Sequence, residues 1–287
     1  MNTNEQSQYV DYQNEIKNTV EELWGKIGKS LNKSFRPKEG RLWAGSSGYC
    51  MRKFIAKKNP AWLGLPTIEK TDTFDEKLGA HVVGRFIHEK LDEIISEHSY
   101  ELSMVGGNER YLKYEGIDPD TNLSYEITGR YDLMLLVPDG NLKKPVLVDW
   151  KTFRANRKYK SSQVMDSILV KEPHFMQLSF YAAMQGGVDS LIIYVTRDDM
   201  ELHIVGLGWE DPNFGVVCPS CDRIHNLPEH MTGKKLWAKV QEKAITMVRA
   251  ENNKKLPPRE EKYDKNSWEC KNACDYYKQC YGEWDLI

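Results

Sequence analysis

The chain has 287 residues, long enough to bury a good core as one elaborated domain or as a domain with an appendage. With 40% hydrophobic residues and a net charge of −2, it reads as a polar soluble protein, and nucleic-acid binding would need local basic patches. No apolar run is long enough to span a bilayer and residues 1–30 lack a secretory pattern, so the expectation is a cytoplasmic protein with no membrane partner. Its six cysteines are then expected as metal ligands before disulfides.

Residues 9–31 carry Val10, Ile16, Val20, Leu23, Trp24 and Ile27 at the spacing of one apolar helix face. A basic loop over 33–38 follows, and residues 1–42 are read as an N-terminal helical extension. A Gly/Ser turn over 45–48 then runs into a short basic helix, with Cys50 near its first turn. The strongest helical pattern of the first half is 74–97, with Leu78, Val82, Phe86, Ile87, Leu91 and Ile94 in its stripe. His81, Arg85 and His88 share one edge of that stripe. Gly84, one turn before His88, permits a close approach by another group.

Strands are expected over 100–114 and 124–137, then one ending in Val146-Leu147-Val148-Asp149-Trp150-Lys151. Side chains at i and i+2 of a strand point the same way, so Asp149 and Lys151 lie side by side. Pro138-Asp139-Gly140-Asn141 is a turn signal, and a hairpin there brings Asp132 near Asp149. Two acids and a lysine on adjacent buried strands fit a divalent-metal site with a cationic partner, or a structural ion pair at a sheet edge. The following segment, 152–160, interleaves Arg154, Arg157, Lys158 and Lys160 with aromatic residues, as a phosphate-binding groove or a solvated basic loop would.

A helix over 172–186 stacks Gln177 on Tyr181 at i and i+4. Strands over 191–195 and 201–205 and a long amphipathic helix over 232–252 complete the mixed α/β order. The tail reads C-x3-C-x5-C at Cys270, Cys274 and Cys280, one thiol short of a tetrahedral set. Cys50, or the pair Cys218 and Cys221, could supply the fourth, and count alone leaves zinc and iron–sulfur both open. A second pattern, C-x2-C-x3-H-x4-H at Cys218, Cys221, His225 and His230, fits a separate Zn²⁺ or a turn with two free thiols.

Taken in order, these motifs resemble a RecB-like nuclease of the PD-(D/E)xK superfamily. The closest likeness is to its iron–sulfur branch, which includes the CRISPR-associated RecB-like exonucleases and the AddB-type helicase–nucleases. The resemblance rests on Cys50-Met51-Arg52-Lys53-Phe54, Gly84 to His88, Gly129-Arg130-Tyr131-Asp132, Asp149-Trp150-Lys151, Gln177 to Tyr181, and the three cysteines after Pro257-Pro258. It covers roughly residues 43–280 and implies a restriction-endonuclease-like core, a mixed central β-sheet flanked by helices. The nuclease domain is then 43–287, with a cluster-binding segment over 256–282 and a CxxC insertion over 209–231.

The resemblance further implies that His88, Asp132, Asp149 and the Trp150 carbonyl bind Mg²⁺ or Mn²⁺, and that Lys151 acts on the attacking water or on the phosphate. Gln177 and Tyr181 would support Lys151 or touch the DNA strand. Cys50, Cys270, Cys274 and Cys280 would hold a 4Fe-4S cluster, while Arg85, Arg154, Arg157, Lys158 and Lys160 are the candidate DNA contacts. The expected activity is a metal-dependent exonuclease on single-stranded or frayed DNA ends in recombination, repair or replication, in a bacterial or phage-infected cell. The alternative is a catalytically silent DNA-binding or assembly subunit of a larger complex with other replication or recombination proteins. No G-x-x-x-x-G-K-[ST] loop is present, so a helicase motor is not expected in this chain.

Overall fold

The computed structural model describes residues 38–63, Gly84, 86–90, Glu93, Glu97, 110–139, 142–153, 171–196, 201–225, 227–263, 265–274 and 276–282. The expected helix over 9–31, the strand start over 100–109, most of the 74–97 helix, and the basic segment 154–160 lie outside the described residues.

Among the described residues, seven strands form two sheets. They are β1 (Arg41–Trp43), β2 (Arg110–Ile117), β3 (Ser124–Tyr131), β4 (Leu133–Asp139), β5 (Leu142–Phe153), β6 (Ser190–Thr196) and β7 (Leu202–Leu207). One sheet has the order β1-β3-β2 and the other β4-β5-β6-β7. β1 pairs parallel to β3, and β2 antiparallel to it. In the second sheet the β4/β5 and β6/β7 pairs are antiparallel and β5/β6 is parallel. Parallel pairing needs a crossover, and the helix α2 (Glu172–Met184) lies in that connection. Further helices among the described residues are α1 (Met51–Lys58), α3 (Gly233–Asn253), α4 (Trp268–Ala273) and α5 (Tyr277–Gly282), and Gly84 and 86–90 are also helical.

The sequence suggests one strand running through Asp132. The structure breaks it there. β3 ends at Tyr131 and pairs in the first sheet, whereas β4 starts at Leu133 and pairs in the second. Asp132 therefore stands at the junction of the two sheets. The turn expected at 138–141 does close a hairpin, with Asp139 facing Leu142.

Each strand of the second sheet alternates between two cores. On one face Val146, Val148 and Trp150 of β5 pack with Leu133, Leu191, Val195 and Ile87. On the other, Leu147, Ile192, Tyr194 and Val205 join the larger core of Leu178, Phe180, Tyr181, Leu236 and Val240. Asp149 and Lys151 fall on that second face by the same alternation. They occupy positions that would otherwise be apolar, which is why Asp149 is buried and Lys151 half-buried.

The chain ends are pinned by polar contacts. Lys58 of α1 forms an ion pair with Glu251 of α3, and both side chains are nearly inaccessible. Glu251 also accepts the Gly40 N–H at 2.7 Å. Thr232 caps α3 by accepting the Lys235 N–H, and Lys254 closes it in the left-handed conformation. Among the described residues, no helix is long and apolar enough to cross a membrane.

Candidate active site and cysteine centres

β5 carries the centre of the site. Its register sets Leu133 opposite Val148, so Asp132, one residue earlier, lies beside Asp149. Asp132 Oδ2 accepts the Trp150 backbone N–H at 2.7 Å, which fixes the carboxylate over the strand end. His88 Nδ1 stands 3.8 Å from the same oxygen. Lys151 Nζ lies 2.5 Å from Asp149 Oδ2. Four of the residues named from sequence, His88, Asp132, Asp149 and Lys151, are thus brought together. Trp150 contributes its N–H to Asp132, and its ring is buried in the core on the opposite face.

Glycines set how closely the neighbouring elements approach. A Cβ at Gly84 would come within 2.8 Å of Thr152 Oγ1, so the helical residues around His88 rest directly on the end of β5. A Cβ at Gly129 would meet the Tyr181 ring at 2.6 Å. A side chain at either position would push His88 or Tyr181 away from the carboxylates.

α2 supplies the opposite wall. Gln177 Nε2 donates to the Tyr181 hydroxyl at 2.6 Å, as their i, i+4 spacing allows. Burial, reinforced by the Asp149 and Asp132 carboxylates, holds the Tyr181 phenol far above its usual pKa, so it stays protonated. For Lys151, burial favours the neutral amine. Asp149 and then Asp132 outweigh it and shift the ammonium upward, keeping it charged. His174 was missed as a site neighbour. Its Nδ1 is 3.0 Å from the Tyr194 hydroxyl, and Tyr194 is the β6 partner of Lys151. Burial, then the charges of Lys151 and Lys171, push the His174 imidazole down to about 3, so it is neutral. Glu172-Pro173-His174 reads only as a helix start in the sequence, and nothing there signals the contact.

The donor set suits a hard divalent ion. Asp149 Oδ2 is buried, its residue only 2% exposed, and Lys151 Nζ stands 2.5 Å from it. A buried carboxylate needs such a cation, and with Asp132 beside it two carboxylates share the one ammonium. Two carboxylates and one imidazole fit Mg²⁺ or Mn²⁺ in an otherwise oxygen-rich site.

A second centre forms where the start of α1 meets the segment 259–281. Cys50, Cys270, Cys274 and Cys280 line one cavity together with Arg259, Glu260 and Tyr263. The Met51 N–H donates to Glu260 Oε1 at 3.1 Å, Tyr263 OH donates to the Gly48 carbonyl at 3.0 Å, and Arg259 donates to the Cys280 carbonyl at 2.6 Å. Of the two sources the sequence leaves open for a fourth thiol, the geometry brings Cys50 to the tail. Burial raises the Cys50 and Cys274 thiols above their usual pKa. A cationic centre would reverse that by taking them as thiolates.

Cys218 and Cys221 belong to a third place. Their ligand atoms cluster with those of His225 and His203, all within 4.8 Å of one another. His230, expected as the fourth member, is exposed and not part of this group. The correction has a simple cause. His203 lies on β7 and points inward by strand alternation, so its approach to the loop depends on tertiary folding and not on local spacing. The candidate DNA contacts Arg85, Arg154, Arg157, Lys158 and Lys160 lie outside the described residues.

Comparison with known proteins agrees with this geometry. The PD-(D/E)XK nuclease superfamily model matches residues 73–281. No curated protein matches the chain. The crystal structure of SSO0001 is similar over 93% of this chain and 97% of that one, with a TM-score of 0.50 and 15% identity, a likeness of fold. The mixed α/β architecture is that of a restriction-endonuclease-like core, and the chain belongs to the PD-(D/E)XK nuclease superfamily.

Proposed function

We propose that this nuclease is a RecB-like member of the iron–sulfur branch and removes nucleotides from single-stranded DNA ends. The observation that carries the hydrolytic part is the buried Asp149 carboxylate with Lys151 Nζ at 2.5 Å, beside Asp132 and His88. His88, Asp132, Asp149 and the Trp150 carbonyl would hold Mg²⁺ or Mn²⁺. A divalent ion bound there supplies positive charge to a phosphoryl oxygen and lowers the pKa of a coordinated water.

The chain's own residues do the rest. The Trp150 N–H keeps Asp132 aimed across the strand ends. Lys151 remains an ammonium and places a proton donor and a charge where the phosphorane gathers negative charge. Gln177 and the protonated Tyr181 form a hydrogen-bonded wall that orients Lys151 or the DNA strand. The apolar faces on both sides of β5 hold these groups in place and keep bulk water from the carboxylates. Arg85, Arg154, Arg157, Lys158 and Lys160 would track the phosphates of the incoming strand.

The cavity shared by Cys50, Cys270, Cys274 and Cys280 supports a 4Fe-4S cluster that joins the start of α1 to the tail. A cluster is larger than a single ion, and a lined cavity suits it.

Linear and circular single-stranded DNA, incubated with Mn²⁺ or with chelator, test the reading. Linear strands labelled at either end should shorten progressively only with metal, and circles should survive. Cleavage of circles would overturn the exonuclease assignment, and no metal-dependent cleavage would overturn the nuclease. Anaerobically purified protein should be brown, with broad absorption near about 400 nm. Colourless protein would overturn the cluster.

A further inference from the structure

We propose that His203, Cys218, Cys221 and His225 bind a structural Zn²⁺ that fastens the hairpin 216–225 to strand β7. Cys218 Sγ lies 3.7 Å from His203 Nδ1, and Cys221 Sγ lies 3.0 Å from His225 Nε2. A tetrahedral zinc with two sulfur and two nitrogen ligands places its donor atoms about 3.4–3.8 Å apart. The 3.7 Å separation falls within that range and the 3.0 Å separation a few tenths below it, and all four donors fall within 4.8 Å.

The surroundings are those of a built site. Cys218 is fully buried and His203 is 1% exposed. The far ring nitrogen of His203, Nε2, lies 3.4 Å from a Glu201 carboxylate oxygen. No hydrogen bond closes that gap, but the carboxylate's charge favours the tautomer with its proton on Nε2, which leaves Nδ1 toward the thiols. Two thiolates and two neutral imidazoles cancel the charge of Zn²⁺, so the complex can be buried, and two thiol protons leave on binding.

The backbone is shaped for the same purpose. Cys218, Pro219, Ser220 and Cys221 form a tight turn. The Cys218 N–H donates to the Arg223 carbonyl at 2.9 Å, and the Asp222 N–H donates to the Cys218 carbonyl at 2.8 Å. Asp222 takes the left-handed conformation with φ 57°, which folds the chain back after the second cysteine. A single bridge joins Val217 to Ile224, and the Leu202 N–H donates to Ser220 Oγ at 3.0 Å.

The hairpin's own paired apolar residues bury little surface. Val217 and Ile224, its paired apolar residues, are 52% and 50% exposed. A segment with so little buried apolar surface needs a cross-link, and the four donors supply one. Because His203 comes from the sheet, the metal ties the insertion to the nuclease core. It is separate from the cysteine cavity at the chain ends, whose thiols are different ones.

Element-specific measurements on the full chain, expressed in zinc-supplemented medium, test this. Mass-spectrometric metal analysis should find one zinc per chain, and zinc-edge X-ray absorption should show two sulfur and two nitrogen neighbours. Cys221→Ser and His225→Ala, both at partly exposed positions, should lower zinc at least ten-fold, with unchanged far-ultraviolet circular dichroism. His203→Ala should do the same, while His230→Ala and Cys270→Ser should retain full zinc. Zinc-free protein, an all-sulfur shell, or full zinc in both Cys221→Ser and His225→Ala would overturn the proposal.

Discussion

The carboxylate site and the cysteine cavity are assembled by different means. The first is set by strand register and by close packing of glycines against neighbouring side chains, so its groups are positioned by the sheet itself. The second gathers residues more than 200 positions apart and is framed by side-chain to backbone bonds from Glu260, Tyr263 and Arg259. Register is rigid and sets hard oxygen donors of neighbouring strand ends side by side, as positional catalysis requires. A set of cross-chain clamps is a means of closing the molecule, and soft thiols that hold a metal or cluster can lock the closure. Damage to the first should remove activity and spare the fold. Damage to the second should act mainly through stability.

The largest expected effect is on cleavage. Asp149→Asn removes the buried anion and keeps its shape, so hydrolysis should fall by about 10²–10³-fold or more, with the thermal midpoint lowered only slightly because Asp132 still faces Lys151. A large drop in the midpoint would break the comparison. Next comes Glu251→Ala, remote from the carboxylates. It leaves Lys58 buried without its counter-charge and the Gly40 N–H without its acceptor, and should cost about 3–5 kcal/mol in denaturant titrations. Cleavage by the remaining folded protein should be unchanged.

Gly84→Ala tests the close packing. The new methyl group meets Thr152 Oγ1 and moves His88 by a fraction of an ångström to an ångström, so the turnover rate should fall by about ten- to a hundred-fold. Adding Thr152→Ala should restore most of it. The smallest effect is on the pH dependence of stability. His174 titrates at about 3 in the folded chain against 6.5 as a free side chain. Between those values the unfolded chain binds the extra proton, so the stability tied to a neutral His174 is complete above pH 6.5 and is lost as pH falls toward 3. Replacing His174 with Gln should flatten that part of the profile in urea titrations at a series of pH values.

Much of the site was legible because it is local. Asp149 and Lys151 share a face by strand period alone, Gln177 and Tyr181 by helix period alone, and the turn after Pro138 announces the pairing that brings Asp132 to Asp149. The break at Asp132 was not legible, because an apolar run through an acid looks like one strand until two sheets compete for its halves. His203 was hidden for a related reason. Within Glu201-Leu202-His203-Ile204-Val205 it occupies an ordinary inward position, and the cysteine turn it meets lies 15 residues further on. His174 gave no signal because its partner, the Tyr194 hydroxyl, arrives from the next strand. Spacing reveals ligands that are neighbours in the chain, and conceals those that the sheet delivers.

In the proposed site Asp132, Asp149 and His88 hold the divalent ion while Lys151 serves the chemistry. Mn²⁺ binding by electron paramagnetic resonance and cleavage of linear single-stranded DNA, both measured on Lys151→Ala, test it most directly. Mn²⁺ should still bind at one site per chain, and cleavage should fall by at least about a hundred-fold. Cleavage at the parental rate, with Mn²⁺ bound, would contradict it.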